Sequence, residues 1–238
     1  MKTTIKQKAL PVDSVKANEI RELLREKNVF MVNLISSPGA GKTALLEHTI
    51  AKLQNMYNIA VIKGEMETDH DAKRLEQLGI TVSLINTHRV GHIESSSIVE
   101  ALSHLDLDQL DIIFVENIGN LICPSGLDIG EHVKVAILSV PEGDDKVSKY
   151  PLLFQQANLV VLNKIDLINI INFNKENFYK EVKKINSDLS IVEVSCTHDF
   201  GIDNWLQWIC ENHASVENVQ YYRHIKKVSP IGPLTGVH

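Results

Sequence analysis

The stretch from residue 29 to residue 50, VFMVNLISSPGAGKTALLEHTI, constrains the fold of this chain more than any other stretch. It begins with an apolar, β-branched run, continues through a glycine-containing loop, and becomes helix-forming directly after Thr43. Such a strand, loop and helix place backbone N–H groups at a helix N-terminus, where Gly39 and Gly41 let the main chain approach a phosphate closely. Lys42 would then reach the β- and γ-phosphates of a nucleotide, and the Thr43 hydroxyl would bind Mg²⁺.

The loop departs at one position from the phosphate-binding pattern G-x-x-x-x-G-K-[ST], because Ser36 stands where the first glycine is expected. The alternative to phosphate binding is a glycine-rich turn that precedes a helix and binds nothing. The intact Gly-Lys-Thr ending, directly after an apolar run, favours a nucleotide site. The candidate nucleotide contacts in this loop are Ser37, Gly39, Ala40, Gly41, Lys42, Thr43 and Ala44.

Composition narrows the classes of protein to which the chain can belong. With 44% hydrophobic and 23% charged residues, it is typical of a globular protein with a buried core. The net charge of −6 and the lack of a basic stripe argue against a nucleic-acid partner. No apolar run is long enough to span a membrane, and charges interrupt residues 1–30, so we expect a cytoplasmic protein with no membrane partner. Three widely spaced cysteines predict no disulfide framework.

Short apolar runs alternate with helix-forming runs along almost the whole chain. This alternation predicts an α/β fold with a mostly parallel central sheet of about seven strands and helices on both faces. Ligands of such sheets bind at the carboxyl ends of the strands. The predicted strands cover residues 29–36, 58–65, 81–86, 111–117, 133–140, 158–163 and 191–195.

A second motif, Asn163-Lys164-Ile165-Asp166, ends the apolar run NLVVL and should lie at the same sheet edge as the phosphate-binding loop. Guanine presents an N1–H and an exocyclic amine that one carboxylate can accept together, whereas adenine offers no such pair. Asp166 would therefore select GTP, while Asn163 braces the loop and Lys164 covers the base. Ser195, at the end of the last predicted strand, is a further candidate nucleotide contact. Alone, such a motif also fits a solvated loop.

Acidic residues follow two of the predicted strands. Glu116 ends the run DIIFV, where it can hold Mg²⁺, and the Gly119 N–H can meet the γ-phosphate. One of the acids after the second strand would orient the attacking water, and the spacing leaves the choice open. We take Asp71 as the candidate catalytic acid beside Lys42 and Glu116, and Glu65 as a candidate Mg²⁺ ligand. Helix capping is the alternative role for these acids; the four are Glu65, Glu67, Asp69 and Asp71.

Several segments together carry a resemblance to one family. SSPGAGKTALLE, HDAKRL, INTHRVGHIES, LDIIFVENIGNLICPSGLDIGE, VPEGDDKVSKYP and VVLNKIDL resemble HypB, the P-loop GTPase that assists nickel delivery during maturation of nickel-iron hydrogenases. HypB is related to the urease accessory GTPase UreG. The resemblance implies hydrolysis of GTP to GDP and phosphate, a homodimer formed with GTP, and partners among hydrogenase maturation proteins and the hydrogenase large subunit.

The resemblance covers about residues 29–213, which we take as the GTPase domain. Residues 1–28 are expected to form an arm and a helix packed on this domain. Residues 214–238 are expected to form a C-terminal tail, read as a mobile terminus because nothing in them indicates a site.

One ligand of the family's metal site is missing from this chain. The family uses a Cys-His pair and a further cysteine in an Asn-Leu-x-Cys-Pro segment; here the pair reads Gly91-His92, while Cys123 is kept. Cys123 and His92 from two protomers would still supply two thiolates and two imidazoles for Ni²⁺ or Zn²⁺. His88, four residues before His92, is a candidate replacement ligand. Alternatively, Cys123 is a small buried hydrophobic residue and the histidines are surface polar groups.

The leading hypothesis is a GTP-hydrolysing metallochaperone switch that assists nickel insertion during nickel-iron hydrogenase maturation, with an altered metal site at the dimer interface. Gly91 favours an alternative, a GTP-dependent dimerising adaptor without metal cargo. Ser36 and Lys73, where relatives differ, favour a metal-binding protein whose GTPase is vestigial. An accessory GTPase for another nickel enzyme, such as urease, is a further alternative.

Overall fold

A computed structural model describes residues 11–65, 70–87 and 91–228 of the chain. Its central sheet has seven strands, all paired in parallel, and confirms the predicted α/β fold. The strands are β1 (Phe30–Ser36), β2 (Ile59–Glu65), β3 (Thr81–Asn86), β4 (Ile112–Glu116), β5 (Val133–Ser139), β6 (Leu159–Asn163) and β7 (Ser190–Glu193). Their order across the sheet is β3-β2-β4-β1-β5-β6-β7, so β1, which leads into the phosphate-binding loop, lies at the centre.

Helices cover both faces of this sheet, as predicted. They are α1 (Pro11–Lys27), α2 (Lys42–Leu53), α3 (His70–Glu76), α4 (Ser95–Ser103), α5 (Lys146–Lys149), α6 (Pro151–Gln156), α7 (Lys175–Ile185) and α8 (Ile202–Val228). One face packs against α2, α3 and α8. The opposite face packs against α1 and α4 on one half and against α5, α6 and α7 on the other. Because both faces are covered, every residue of β1, β4, β5 and β6 is buried, which explains why these strands are mostly apolar.

Helix α1 packs on the main domain through one narrow apolar stripe. Ala17, Ile20 and Leu24 are fully buried there. The helix lies so close to Gly130 that a Cβ at this position would be 2.5 Å from the Ile20 side chain, and Gly130 has a left-handed φ of 83°. A glycine is therefore required where α1 crosses the segment before β5.

Helix α8 is longer than the sequence predicted. The sequence predicted a C-terminal tail from residue 214 onward, whereas the observed helix runs from Ile202 to Val228. No glycine or proline interrupts residues 202–229, and Pro230 is the first helix breaker. Most of the predicted tail is thus helical, while residues 229–238 lie outside the described residues.

Within the described ranges, no helix is both long and apolar enough to cross a membrane.

A buried polar chain crosses the face of the sheet opposite α2. Asn33 of β1 donates from Nδ2 to Glu131 Oε1 over 3.2 Å and accepts from Asn117 Nδ2 over 3.4 Å. Lys134 Nζ lies 3.4 Å from Glu131 Oε1 and donates to the carbonyl of Leu127 over 2.8 Å. These side chains are almost fully buried, so each depends on its partner to offset the loss of hydration. Through these contacts, the buried polar side chains hold the segments that follow β4 against β1 and β5.

His132 is held as a neutral side chain at the base of β1. Its Nδ1 accepts a hydrogen bond from the Met31 backbone N–H over 3.0 Å, so this nitrogen cannot carry a proton. Burial lowers the pKa of His132 to about 4, and the positive charges of Arg21 and Arg25 act in the same direction. The folded protein therefore disfavours the imidazolium that the unfolded chain accepts readily.

We predict that His132 makes stability depend on pH between about 6.5 and 4. Its folded pKa lies below its unfolded value, so the unfolded state binds more protons in this window, and the free energy of unfolding falls as pH decreases, by up to about 3 kcal/mol. In His132→Asn, which keeps an acceptor for the Met31 N–H but does not titrate, this part of the pH dependence should vanish. Denaturant unfolding at pH 7 and pH 4.5 measures it; the same pH dependence in both proteins would contradict the assignment.

Candidate functional site

A cleft of about 450 Å³ opens at the carboxyl ends of the central strands, on the side where the phosphate-binding loop leaves β1. It combines residues from the loop, the ends of β2 and β4, the start of α3, and the loop after β6. The structure thus gathers most of the candidate nucleotide residues in one place. The lining residues are Pro38, Gly39, Gly41, Lys42, Thr43, Ala44, Lys63, Gly64, Asp71, Arg74, Glu116, Asn117, Ile118, Gly119 and Lys164.

Lys42, the first residue of α2, is held in place by the serine that replaces a glycine. Its Nζ donates to Ser36 Oγ over 2.7 Å, and Ser36 Oγ donates in turn to the Ser37 carbonyl over 2.6 Å. Burial lowers the pKa of Lys42 to about 8, although the negative charge of Glu116 opposes this shift. The departure at position 36 therefore leaves the lysine ordered within the loop.

Three oxygen donors converge beside Lys42. Thr43 Oγ1 donates to Glu116 Oε1 over 2.6 Å and lies 3.4 Å from Asp71 Oδ2. Arg74 contacts Asp71 Oδ1 at 3.1 Å and Glu47 Oε2 at 2.7 Å, which fixes the start of α3 to α2. Hydroxyl and carboxylate oxygens are the ligands that Mg²⁺ prefers, so these residues fit that ion. The Glu65 side chain, Glu67 and Asp69 lie outside the described residues.

Two charged residues of the site were missed by sequence reasoning. Lys63 of β2 is buried, and its Nζ lies 2.8 Å from Glu116 Oε2. Glu142 accepts a hydrogen bond from Ser37 Oγ. It also accepts two hydrogen bonds from Ser139, one from the backbone N–H and one from the hydroxyl, both over 2.8 Å. The sequence did contain a signal for Lys63: a lysine within the apolar run NIAVIKGE predicts an acidic partner, because lysine is almost never fully buried unless it is paired. Glu142 lies in the family segment VPEGDD, but nothing local indicated its partner.

The loop after β6 is tied directly to the phosphate-binding loop. Asn163 Nδ2 donates to the Ala40 carbonyl over 2.9 Å, and Lys164 Nζ donates to the Gly39 carbonyl over 2.7 Å. Lys164 has a left-handed φ of 58°, and its N–H donates to Asn163 Oδ1 over 2.7 Å. A Cβ at Gly41 would lie 2.3 Å from Asn163 Nδ2, so the two loops approach too closely for any side chain there.

Asp166 lies in the loop after β6, and Ser195 follows β7. Both approach His198, whose Nδ1 is 3.9 Å from Asp166 Oδ2 and 3.3 Å from Ser195 Oγ. Ser195 is buried and is paired with Phe200 by an antiparallel bridge. Next to it, burial raises the pKa of the Cys196 thiol to about 11, so this cysteine is a neutral thiol at physiological pH.

Gly119 packs against the phosphate-binding loop from the β4 side. A Cβ at this position would lie 2.8 Å from the backbone nitrogen of Pro38. Only glycine permits this approach, which brings the Gly119 backbone to the mouth of the loop. The phosphate-binding loop is therefore enclosed between the segment after β4 and the loop after β6.

The candidate ligands for a transition metal lie on adjacent segments outside the nucleotide cleft. Cys123 is exposed, so the alternative that it is a buried hydrophobic residue is wrong. Asn120 joins the segments: its Nδ2 donates to the Gly91 carbonyl over 3.2 Å, and its Oδ1 accepts from the Cys123 N–H over 3.4 Å. His92 Nδ1 is buried with no hydrogen-bond partner among the described residues, and its Nε2 lies 3.6 Å from Glu94 Oε1. His88 lies outside the described residues.

No group of three or more histidine, cysteine or acidic residues that could hold a metal occurs within residues 11–65, 70–87 and 91–228. Four-ligand sites are the rule for structural Zn²⁺ and are common for related ions. The described part of one protomer therefore offers at most a partial ligand set around Cys123 and His92.

The fold and the cleft define a P-loop GTPase: a parallel sheet with a Gly-Lys-Thr loop after its central strand and an Asn-Lys-x-Asp loop beside it. A family model described as CobW/HypB/UreG, nucleotide-binding domain, matches residues 30–193. The chain therefore belongs to the CobW/HypB/UreG family of GTPases.

Individual relatives of the chain carry the HypB name. The chain is 41% identical over 205 residues to the hydrogenase maturation factor HypB of Azotobacter vinelandii, covering 86% of this chain and 68% of that protein. The crystal structure of HypB from Archaeoglobus fulgidus superimposes with a TM-score of 0.81 at 32% identity, covering 86% of this chain and 100% of that one. HypB from Helicobacter pylori in complex with nickel gives a TM-score of 0.81 at 31% identity, covering 86% and 96%.

We predict that Gly41→Ala weakens GDP binding far more than Gly39→Ala. Both glycines have left-handed φ values, 99° and 76°, so both substitutions strain the backbone. Only at Gly41 does the added Cβ also meet Asn163, whereas the Cβ at Gly39 meets nothing within 4 Å. Isothermal titration with GDP should give at least a roughly tenfold larger Kd for Gly41→Ala than for Gly39→Ala. Equal losses would mean that the contact between the two loops is unimportant.

Proposed function

We propose that this protein is a GTP-hydrolysing switch that assists nickel insertion during maturation of nickel-iron hydrogenases. The observation that carries the proposal is the single cleft in which Lys42, Thr43 and Glu116 meet, with the Asn163–Asp166 loop hydrogen-bonded to its phosphate-binding loop. The relatives named hydrogenase maturation factor, and the related HypB structure that contains nickel, support the same role for this chain.

The nucleotide would lie across the phosphate-binding loop with its base toward the loop after β6. Backbone N–H groups from Gly39 to Ala44 and the Lys42 ammonium would bind the phosphates. Asp166 would accept both donors of the guanine edge and so exclude adenine. Asn163 would brace the loop and Lys164 would cover the base, while Ser195 would border the base pocket.

Thr43 and Glu116 would hold Mg²⁺, with Asp71 facing the same position and Glu65 as a further candidate. When bound, this ion neutralises phosphate charge and orients the γ-phosphate. Lys42 would stabilise the charge that develops on the leaving phosphate oxygens, and the Gly119 N–H would bind the γ-phosphate. Asp71, which Arg74 fixes at 3.1 Å, would orient the attacking water. Such catalysis is mainly positioning, so we expect slow intrinsic turnover.

Nickel would be carried between two protomers. Cys123 and His92 from each would supply two thiolates and two imidazoles, a set that suits Ni²⁺ or Zn²⁺, with His88 as a further candidate ligand. The exposure of Cys123 and the unpartnered, buried Nδ1 of His92 among the described residues support this placement. GTP would promote the homodimer and hydrolysis would release it. In the cytoplasm, the protein would interact with hydrogenase maturation proteins and with the hydrogenase large subunit.

Gly91 and the partial ligand set in the described residues favour a second candidate function. In it, GTP still drives dimerisation, but the dimer recruits maturation partners without carrying metal. The two functions differ in one observable, the metal content of the GTP-bound dimer.

We predict that Asp166→Asn changes the base preference of the protein. Loss of the carboxylate leaves guanine's two donors poorly paired, so GDP affinity should fall about 100-fold, while xanthosine diphosphate, whose 2-oxo group accepts from an amide, should bind better than GDP. Asp199→Asn is the matched control, because Asp199 is a nearby acid that pairs with Lys52 at 2.9 Å. Unchanged GDP affinity in Asp166→Asn would refute the assigned base contact.

We predict that the natural protein forms a dimer with a non-hydrolysable GTP analogue and gains about one Ni²⁺ or Zn²⁺ per dimer. The metal should be lost in both Cys123→Ser and His92→Ala, because each removes two of four ligands. Light scattering gives the mass, and elemental analysis of the same fractions gives the metal content, with GDP as the nucleotide control.

A GTP-dependent dimer without metal would favour the adaptor function instead. A protein that stays monomeric with the GTP analogue, or binds no guanine nucleotide, would contradict the switch. Cys210→Ser controls for loss of a thiol away from the proposed interface, since Cys210 lies within α8 and packs against the core.

A further inference from the structure

The ammonium group of Lys63 is the least expected charge in the site. Lys63 lies in the middle of β2, and its side chain is only 5% exposed. The sheet register places it directly opposite Glu116 of β4, whose side chain is 3% exposed, and their charged atoms are 2.8 Å apart. Two charges this deeply buried are stable only because they are paired; removing one leaves the other uncompensated.

The Lys63 ammonium lies beside the proposed Mg²⁺ ligands. Glu116 Oε1 accepts a hydrogen bond from the Thr43 hydroxyl over 2.6 Å, and Glu116 Oε2 forms an ion pair with Lys63 Nζ at 2.8 Å. Asp71 Oδ2 lies 4.0 Å from Lys63 Nζ and 3.4 Å from Thr43 Oγ1. Glu116 and Asp71, two of the three side chains that would hold a divalent ion, therefore already face a monovalent cation supplied by the chain.

We propose that Lys63 is a built-in cation of the phosphate site that competes with Mg²⁺ for Glu116. This inference rests on the proposed Mg²⁺ site and concerns how that site is filled. A divalent ion bound to Glu116 and an ammonium 2.8 Å from the same carboxylate repel each other. Lys63 also lines the nucleotide cleft with Lys42, so it adds positive charge toward the phosphates whether or not Mg²⁺ is present.

Two properties follow. Without nucleotide, the protein binds Mg²⁺ weakly, because Lys63 already neutralises Glu116. With nucleotide, GDP binding depends little on Mg²⁺, because a resident cation supplies part of the charge that the ion would supply. Lys63 thus acts on metal binding through Glu116 and is distinct from the groups that contact the reacting phosphate.

The test uses the full chain and compares Lys63→Met with Lys63→Arg, which keeps the charge. Lys134→Met is the matched control: Lys134 is also buried and pairs with a glutamate, at 3.4 Å, but in the polar chain beside β5. Melting temperatures are measured during MgCl₂ titration without nucleotide, and GDP affinity is measured in EDTA and in excess Mg²⁺.

For Lys63→Met we expect half-maximal stabilisation at a Mg²⁺ concentration at least about tenfold lower than for the natural chain, because the unpaired Glu116 becomes an open ligand. The ratio of GDP Kd in EDTA to that in Mg²⁺ should rise by about tenfold or more. Lys63→Arg and Lys134→Met should retain the natural ratio. A Lys63→Met protein that folds only when Mg²⁺ is present would support the proposal as well.

The proposal is overturned if all variants show the same Mg²⁺ dependence, since Lys63 would then be a structural ion pair only. The natural chain gives a test that needs no variant: its GDP Kd in EDTA should lie within about tenfold of its value in Mg²⁺, and a loss beyond about 100-fold overturns the inference. Failure to bind GDP under either condition would instead refute the proposed nucleotide switch, so the two failures can be told apart.

Discussion

The two hydrogen bonds that the loop after β6 makes to the phosphate-binding loop organise the rest of the site. Asn163 and Lys164 donate to the carbonyl groups of Ala40 and Gly39. By accepting these bonds, the two carbonyls face the loop after β6. The contact depends on the bare backbone at Gly41, where any Cβ would collide with Asn163. The Asn-Lys-x-Asp loop and the phosphate-binding loop are therefore coupled through the main chain.

The electrostatics of the cleft follow from its burial. Lys42 and Lys63 bring two positive charges to the cleft on side chains that are almost fully buried, and the buried acid Glu116 pairs with Lys63. Ser36 supports Lys42 with an uncharged acceptor, so the lysine keeps its charge available for phosphate. The site is thus prepared for an anionic ligand before one arrives, and charge is stabilised there more strongly than it would be in water.

Two asparagines on the segment after β4 connect the nucleotide cleft to the segments that bear Cys123 and His92. Asn117, directly after β4, accepts from the Ile118 N–H over 3.0 Å and is hydrogen-bonded to Asn33. Three residues further on, Asn120 binds both the Gly91 carbonyl and the Cys123 N–H. The segment that lines the cleft after β4 and the segment that presents the thiol are therefore the same short stretch of chain. A movement of one would shift the other, as a nucleotide switch requires.

The sequence by itself determined the central strands, their parallel arrangement and the nucleotide class, because the apolar runs, the Gly-Lys-Thr loop and the Asn-Lys-x-Asp motif occur together in the order that a P-loop GTPase requires. It did not determine the partners of Lys63 and Glu142, since each pairs with a residue far along the chain, Glu116 and Ser37. Only the tertiary structure decided these features, because strand register and loop packing bring together charges whose sequence spacing carries no information about their distance.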